Sequence, residues 1–272
     1  MIDSKVFEEL MNKGIITQVG LNPENYKDIE DLKRHGLATA IGATEVYNEA
    51  VEELVNVEEV LAKFMSDIAA GGDVKVPMNL ELKTPIIVEK DVTVDLNGYT
   101  LTAPVFTESN GAIVEGNSDS YVFWVKKGTL TINGNGTIIA KDAKYSMAVW
   151  VNGGSAILNS GEYHNSGNGC DLIYVSSKGN LEINGGEYIA TEKIGAVEGT
   201  QNKRSAINIK DKDRAVCNVT VKGGKFLEFN PANNLSEGPN TNFVTEGYEA
   251  IENGLYFEVS ESAAIVVDDN NE

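Results

Sequence analysis

A chain of 272 residues, 42% of them apolar, is long enough to bury a core of its own and does not have the composition of a disordered protein. Its formal charge of −19 repels phosphate backbones and anionic lipid surfaces, which argues against nucleic acid and membrane as partners. No apolar run approaches membrane-spanning length, and the opening MIDSKVFEELMNKG carries acidic residues without an apolar h-region, so synthesis in the cytoplasm without a secretory signal is expected.

In chain order, Ser4–Asn12 is a first expected helix, GLNPENY a Pro/Asn turn, and Asp28–Arg34 a second short helix ending near Gly36. Residues 1–42 hold too little apolar material for an independent core and are expected to fold against something else. From Thr44, a fair N-cap, to the stop at Gly71-Gly72 the period becomes helical. Tyr47, Leu54, Leu61 and Ile68 recur at a, and Ala50, Val57 and Phe64 at d, of a heptad. Leucine at a with a β-branched residue at d leans towards three or more strands, so residues 43–70 are expected to form a trimeric coiled-coil stalk. The alternative is a single amphipathic helix lying on a neighbouring domain.

After Gly72 the period switches to that of strands, and a repeat takes over. LNGYTL at Gly98, NGNGTII at Gly136, NSGEYH at Gly161, NGGEYI at Gly186 and KGGKFL at Gly224 align on their last glycine, with gaps of 38, 25, 25 and 38 residues. A second strand precedes the last four: Val122–Val125, Ala148–Val151, Leu172–Val175 and Ala206–Ile209. The longer gaps are expected to hold loops at Val105–Ser120 and Glu192–Arg204. Strands of successive repeats should pair in parallel, roughly 4.8 Å apart, as a solenoid. Alternation then makes inward columns of Ala156/Leu181/Val219, Leu158/Ile183/Val221 and Tyr163/Tyr188/Phe226, and of Phe123/Val125, Val149/Val151, Ile173/Val175 and Ile207/Ile209.

Trp124, Trp150, Tyr174 and Asn208 would face outward, flanked by Val122, Ala148, Leu172 and Ala206. Such a stripe is not left in water without reason. Three readings stand: an interchain contact, a surface covered by the helix ending at Ile68, or a platform on which sugars stack.

The repeat also sets Glu162 beside Glu187, roughly 5 Å apart at Cβ, and retaining glycosidases hold two carboxyl groups about 5–5.5 Å apart. The same column continues as Thr137 before and Lys225 after, which favours a charge ladder, with Lys225 offsetting the glutamate pair, over a catalytic dyad. Asp142, Asp171, Asp211 and Asp213 fall at different points of the repeat, where solvation is a more common fate than calcium binding. His35 and His164 belong to different parts of the chain, and no nucleophile triad can be assembled around either. Cys170 and Cys217 lack metal or redox spacing and read as packing thiols. GAVEGTQNKRS is not a phosphate loop, because the GxxxxGK[ST] order is absent. No catalytic residue, metal or cofactor is expected.

This strand-and-glycine grammar resembles a right-handed parallel β-helix of the pectate-lyase-like type. GGDVKVPMNLELKTPIIVEKDVTVDLNGYTLTA at Gly71–Ala103 and NFVTEGYEAIENGLYFEV at Asn242–Val259 resemble the first and last coils of β-helix domains in tailed-phage virion proteins, especially head fibres, and in surface proteins of gut bacteria. For the first 70 residues the likeness is one of layout. It implies a capsid-docking segment at 1–42, a trimerising helical stalk at 43–70, a β-helix blade at 71–259 and an acidic tail at 260–272. The function so implied is that of a structural head fibre on the virion surface, a homotrimer meeting a capsid protein and contacting host or environmental glycans without catalysis. The alternatives are a phage depolymerase or polysaccharide lyase, and a non-catalytic carbohydrate-binding module of a bacterial surface.

Overall fold

The structure is a computed structural model that describes residues 1–18, 20–38, 43–166, 171–190 and 205–263. Cys170, the expected Glu192–Arg204 loop and most of the acidic tail lie outside the described residues. The chain divides into two compact units, Met1–Lys63 and Phe64–Glu272.

In the first unit, α1 (Ser4–Asn12) starts where Asp3 accepts a bond from the Lys5 amide at 2.8 Å. Asn22 caps a single 3₁₀ turn at Pro23–Asn25, and Asp28 caps α2 (Ile29–Arg34) by accepting from the Asp31 amide at 2.9 Å. A third helix, α3, runs Ala43–Ala70. It begins a residue before the expected cap. Thr44 Oγ1 instead takes a bond from Lys33 Nζ.

Val6, Phe7 and Leu10 of α1 and Ile29 and Leu32 of α2 are buried together with Ala50, and Val46, Tyr47, Val51 and Leu54 of α3 pack against them. The N-terminal segment therefore completes its core with the first half of α3, which supplies the apolar surface that residues 1–42 lack. Tyr47, Ala50 and Leu54, expected at a seam between chains, are covered here by α1 and α2 of the same chain. Leu61 is buried in the first unit, and Phe64 and Ile68 are buried at the start of the second. Among the described residues no helix is long and apolar enough to cross a membrane.

The second unit is mainly β, built from parallel sheets. Sheet 1 takes Gly72–Lys75, Val92–Asp95, Thr129–Asn133, Ser155–Leu158, Asn180–Ile183 and Asn218–Val221 in that order. Sheet 2 takes Ile86–Val88, Ala112–Val125, Tyr145–Asn152, Ile173–Ser176 and Ile207–Ile209. Sheet 3 takes Leu80–Glu81, Thr100–Thr102, Thr137–Ile139, Glu162–His164, Glu187–Ile189 and Gly224–Leu227. Every neighbour along these three series is parallel, and each repeat gives one strand to each sheet. Ile86–Val88 pairs with Phe123–Val125, so a second strand precedes the Gly98 motif as well, where sequence periodicity marked none.

The registers place Ala156 opposite Leu181, Leu181 opposite Val219, and Tyr163 opposite Tyr188, as the repeat requires. Tyr163 and Tyr188 are fully buried and stack at 4.9 Å and 3°; Tyr188 and Phe226 stack at 4.7 Å and 10°. These separations equal the strand spacing, so each ring sits on the one below it without a rotamer change. The glycines before them, Gly161, Gly186 and Gly224, have φ of 98°, 95° and 106°, a region closed to most residues, and Gly98 and Gly136 are also positive. At Gly186 an added Cβ would lie 2.9 Å from the Gly161 carbonyl oxygen, so the turn needs glycine for contact as well as for conformation.

Parallel pairing ends at the hairpin Tyr248–Asn253 and Tyr256–Glu261, whose second strand joins Gly224–Leu227 antiparallel. Phe229 and Phe243 are buried in the connection before it. The outer strand carries Glu249 and Glu252, and a charged edge discourages further strand addition.

Candidate functional site

The outward column of sheet 2 runs Ile87, Trp124, Trp150, Tyr174, Asn208 in register. Its expected exposure does not hold at Trp124, which is only 2% exposed. The reason lies in residues 105–120, expected as a loop. Phe106–Ser109 turns back antiparallel on the first half of Ala112–Val125, and this hairpin carries apolar residues onto the sheet face. Phe106 meets Tyr121 edge-on at 5.1 Å, and Tyr121 meets both Trp124 and Trp150 edge-on at 6.2 and 5.3 Å. Trp124 stacks on Trp150 at 4.8 Å and 8°, and Lys126 Nζ lies 3.7 Å from the Trp124 ring centre. The covering surface is thus a segment of the strand's own repeat.

Asp119 ties the hairpin down. It is 4% exposed and accepts from the Tyr121 hydroxyl, the Ser118 hydroxyl and the Glu108 amide, the last at 2.9 Å. Three donors satisfy the oxygens of an almost wholly buried carboxyl group.

Beyond Trp124 the column opens. Trp150 and Tyr174 are half-buried and form the floor of a cavity of about 410 Å³. Tyr121, Tyr145 and Met147 make apolar walls, and Glu108, Ser118, Asp119, Asp171, Asn208 and Lys210 supply polar groups. The Trp150 indole N–H donates to Ser176 Oγ at 2.9 Å, which fixes the ring's orientation. Asp171 accepts from Ser205 Oγ and from Asn208 Nδ2, the latter at 2.7 Å. Burial pushes the Tyr174 hydroxyl up to about 12, with the charges of Asp171, Asp211, Asp213 and Glu237 acting in the same direction. Burial also raises the Glu237 carboxyl, against bonds from the Ile209 amide at 2.6 Å and from Arg214. The groove continues past Asn208 over Ile209, Lys210 and Asp211.

A second, shallower groove follows the glycine turns of sheet 3 and contains Glu162 and Glu187. Their register is as expected, Thr137–Glu162–Glu187–Lys225. The charge ladder differs in its partners. His164 Nε2 pairs with Glu162 Oε1, and Lys225 Nζ reaches Glu258 at 3.3 Å across the antiparallel strand instead of Glu187.

Of the four aspartates considered for calcium, three lie near Tyr174 but each has its own setting. Asp142 is exposed, Asp171 is in the groove, Asp211 pairs with Arg214 at 2.8 Å, and Asp213 accepts from the Ser177 amide at 2.8 Å. Among the described residues no group of three or more His, Cys, Asp or Glu side chains is placed to hold a metal. His35 lies against the Asp31 carbonyl in the first unit, and Cys217 is a half-buried free thiol.

One column escaped the sequence reading. Asn184 Nδ2 donates to Asn159 Oδ1 at 2.9 Å, and Asn159 Nδ2 to Asn133 Oδ1 at 2.8 Å, an amide ladder at the turn between sheets 1 and 3. Its signal was present in the motifs themselves, as the Asn that begins NGNG, NSG and NGG.

No family model, no curated protein and no solved structure matches this chain.

Proposed function

We propose that the chain is a structural protein of a virion surface, most like a tailed-phage head fibre: a right-handed parallel β-helix blade carried by an N-terminal helical unit that attaches to a capsid protein. The observation that carries this reading is the set of uninterrupted in-register columns, the Tyr163–Tyr188–Phe226 stack and the Asn133–Asn159–Asn184 ladder, which devote the repeat to stiffness. The likeness of Gly71–Ala103 and Asn242–Val259 to virion β-helix domains directs it towards phage. Because α1 and α2 cover Tyr47, Ala50 and Leu54, and Leu61, Phe64 and Ile68 are buried as well, only half-buried Val57 of the heptad residues is left to meet other chains, so trimerisation requires α1 and α2 to be displaced.

Antibody to this chain should label the head of intact virions, and sedimentation of the full chain should give a trimer. Labelling of the tail, or of no virion at all, overturns the head-fibre assignment, and a stable monomer overturns the stalk. Glycan contact is the blade's second role, and the aromatic groove of sheet 2 is what favours it. Glu162→Gln and Glu187→Gln should leave host glycans as intact as the wild-type chain does. Release of reducing or unsaturated sugar ends by the wild type, lost in either variant, would establish a depolymerase instead.

A further inference from the structure

We infer that the groove on sheet 2 between Tyr121 and Lys210 is a binding site for a neutral glycan; this rests on the reading of the blade as a glycan-contacting surface. The cavity of about 410 Å³ lies within the range of ligand pockets, roughly 300–1,000 Å³. A pyranose offers an apolar C–H face and a rim of hydroxyls, and the groove offers the complement of each. Trp150 and Tyr174 make an apolar floor one strand apart, and Tyr145, 44% exposed, stands at its edge.

The polar groups suit hydroxyls. Asp119 and Asp171 are fixed by donors of this chain, and Lys210 is a donor on the same wall. Asn208 lines the groove with its Nδ2 committed to Asp171, which holds both side chains in place.

Charge decides between glycan classes. Three carboxylates, Glu108, Asp119 and Asp171, line the groove with Lys210, Lys144 Nζ lies 4.9 Å from the Tyr145 ring centre at its edge, and Asp211, Asp213 and Glu237 add negative potential at Tyr174. Uronic, sialic and phosphorylated sugars are repelled at short range here and at long range by the net charge of −19. The pre-set orientation of Trp150 and Asp171 reduces the entropy that binding would otherwise cost.

The test is calorimetry on the full chain at low salt with cellohexaose, maltohexaose, chitohexaose and a galacturonate hexamer. At least one neutral series should bind and the galacturonate should not. Tyr174→Ala and Tyr145→Ala should each weaken that binding about tenfold, the loss of one stacking contact together with its buried area. Far-ultraviolet circular dichroism establishes that each variant is folded, and Glu162→Gln, in the other groove, should bind as the wild type does. Binding of galacturonate as tight as that of the neutral sugars, absence of binding by every neutral series, or neutral binding that survives both tyrosine substitutions overturns the inference. Virion labelling is read separately, so failure here leaves the structural assignment standing.

Discussion

The stacked ring column makes a quantitative prediction at Tyr188. Its ring is fully buried, with Tyr163 on one face and Phe226 on the other, and its hydroxyl donates to the Gly185 carbonyl at 2.9 Å. Replacing a buried aromatic residue by alanine costs roughly 3–5 kcal/mol, from lost transfer energy and the cavity left behind. Both ring contacts go with it, at about 0.5–1.5 kcal/mol each, which places Tyr188→Ala near the upper end, about 5 kcal/mol.

Tyr163 has a ring on one side only and is opposite Ile138 on the other, so Tyr163→Ala should cost about 1 kcal/mol less. Tyr188→Phe keeps both stacks and loses the hydroxyl bond, at about 1 kcal/mol. The order expected in urea unfolding, followed by near-ultraviolet circular dichroism, is Tyr188→Ala worst, Tyr163→Ala next and Tyr188→Phe mildest. If Tyr188→Phe were as damaging as Tyr188→Ala, the hydroxyl bond would carry the stability and the stacking argument would fail.

The amide ladder predicts that Asn159→Ala, which removes two bonds at the middle, lowers stability by about 1 kcal/mol, and that Asn133→Ala, at the end, costs about half as much in the same urea assay. At Gly223 a Cβ would lie 2.1 Å from the Asn184 carbonyl oxygen, whereas at Gly247, with φ of 85°, it would meet nothing within 4 Å. Gly223→Ala should therefore lower the melting temperature by more than Gly247→Ala, which costs only backbone strain of about 1 kcal/mol; equal shifts would show that the turn relaxes. Alkaline stability follows from Tyr174, held up to about 12 against 10.0 when free. The folded state keeps its proton where the unfolded chain has lost it, so the full contribution is present below pH 10 and is lost as pH rises towards 12. Buried Tyr163 and Tyr188 act in the same direction. Thermal melts should show a decline beginning near pH 10 that is shallower in Tyr174→Phe, and a flat profile into the alkaline range would contradict it.

What the amino-acid sequence determined by itself is local and periodic. The turn glycines and the inward columns of Tyr163/Tyr188/Phe226 and Phe123/Val149/Ile173 are legible because two-residue alternation and a 25-residue period are properties of the chain itself. The weak strand Ile86–Val88 was missed because three residues between a proline and an acidic turn carry too little pattern to stand out, and only a partner at Phe123–Val125 makes them a strand.

Tertiary structure alone decided what covers each apolar surface. A heptad states that Tyr47, Ala50 and Leu54 share a face, and is silent on whether that face meets another chain or, as here, α1 and α2. The outward placement of Trp124 and Trp150 was readable, but their different fates were not. The insertion at 105–120 folded into a hairpin, buried Trp124 under Tyr121, and left Trp150 and Tyr174 at the floor of a groove. Alternation along a strand encodes the direction of a side chain, whereas its burial depends on contacts between segments that periodicity does not relate.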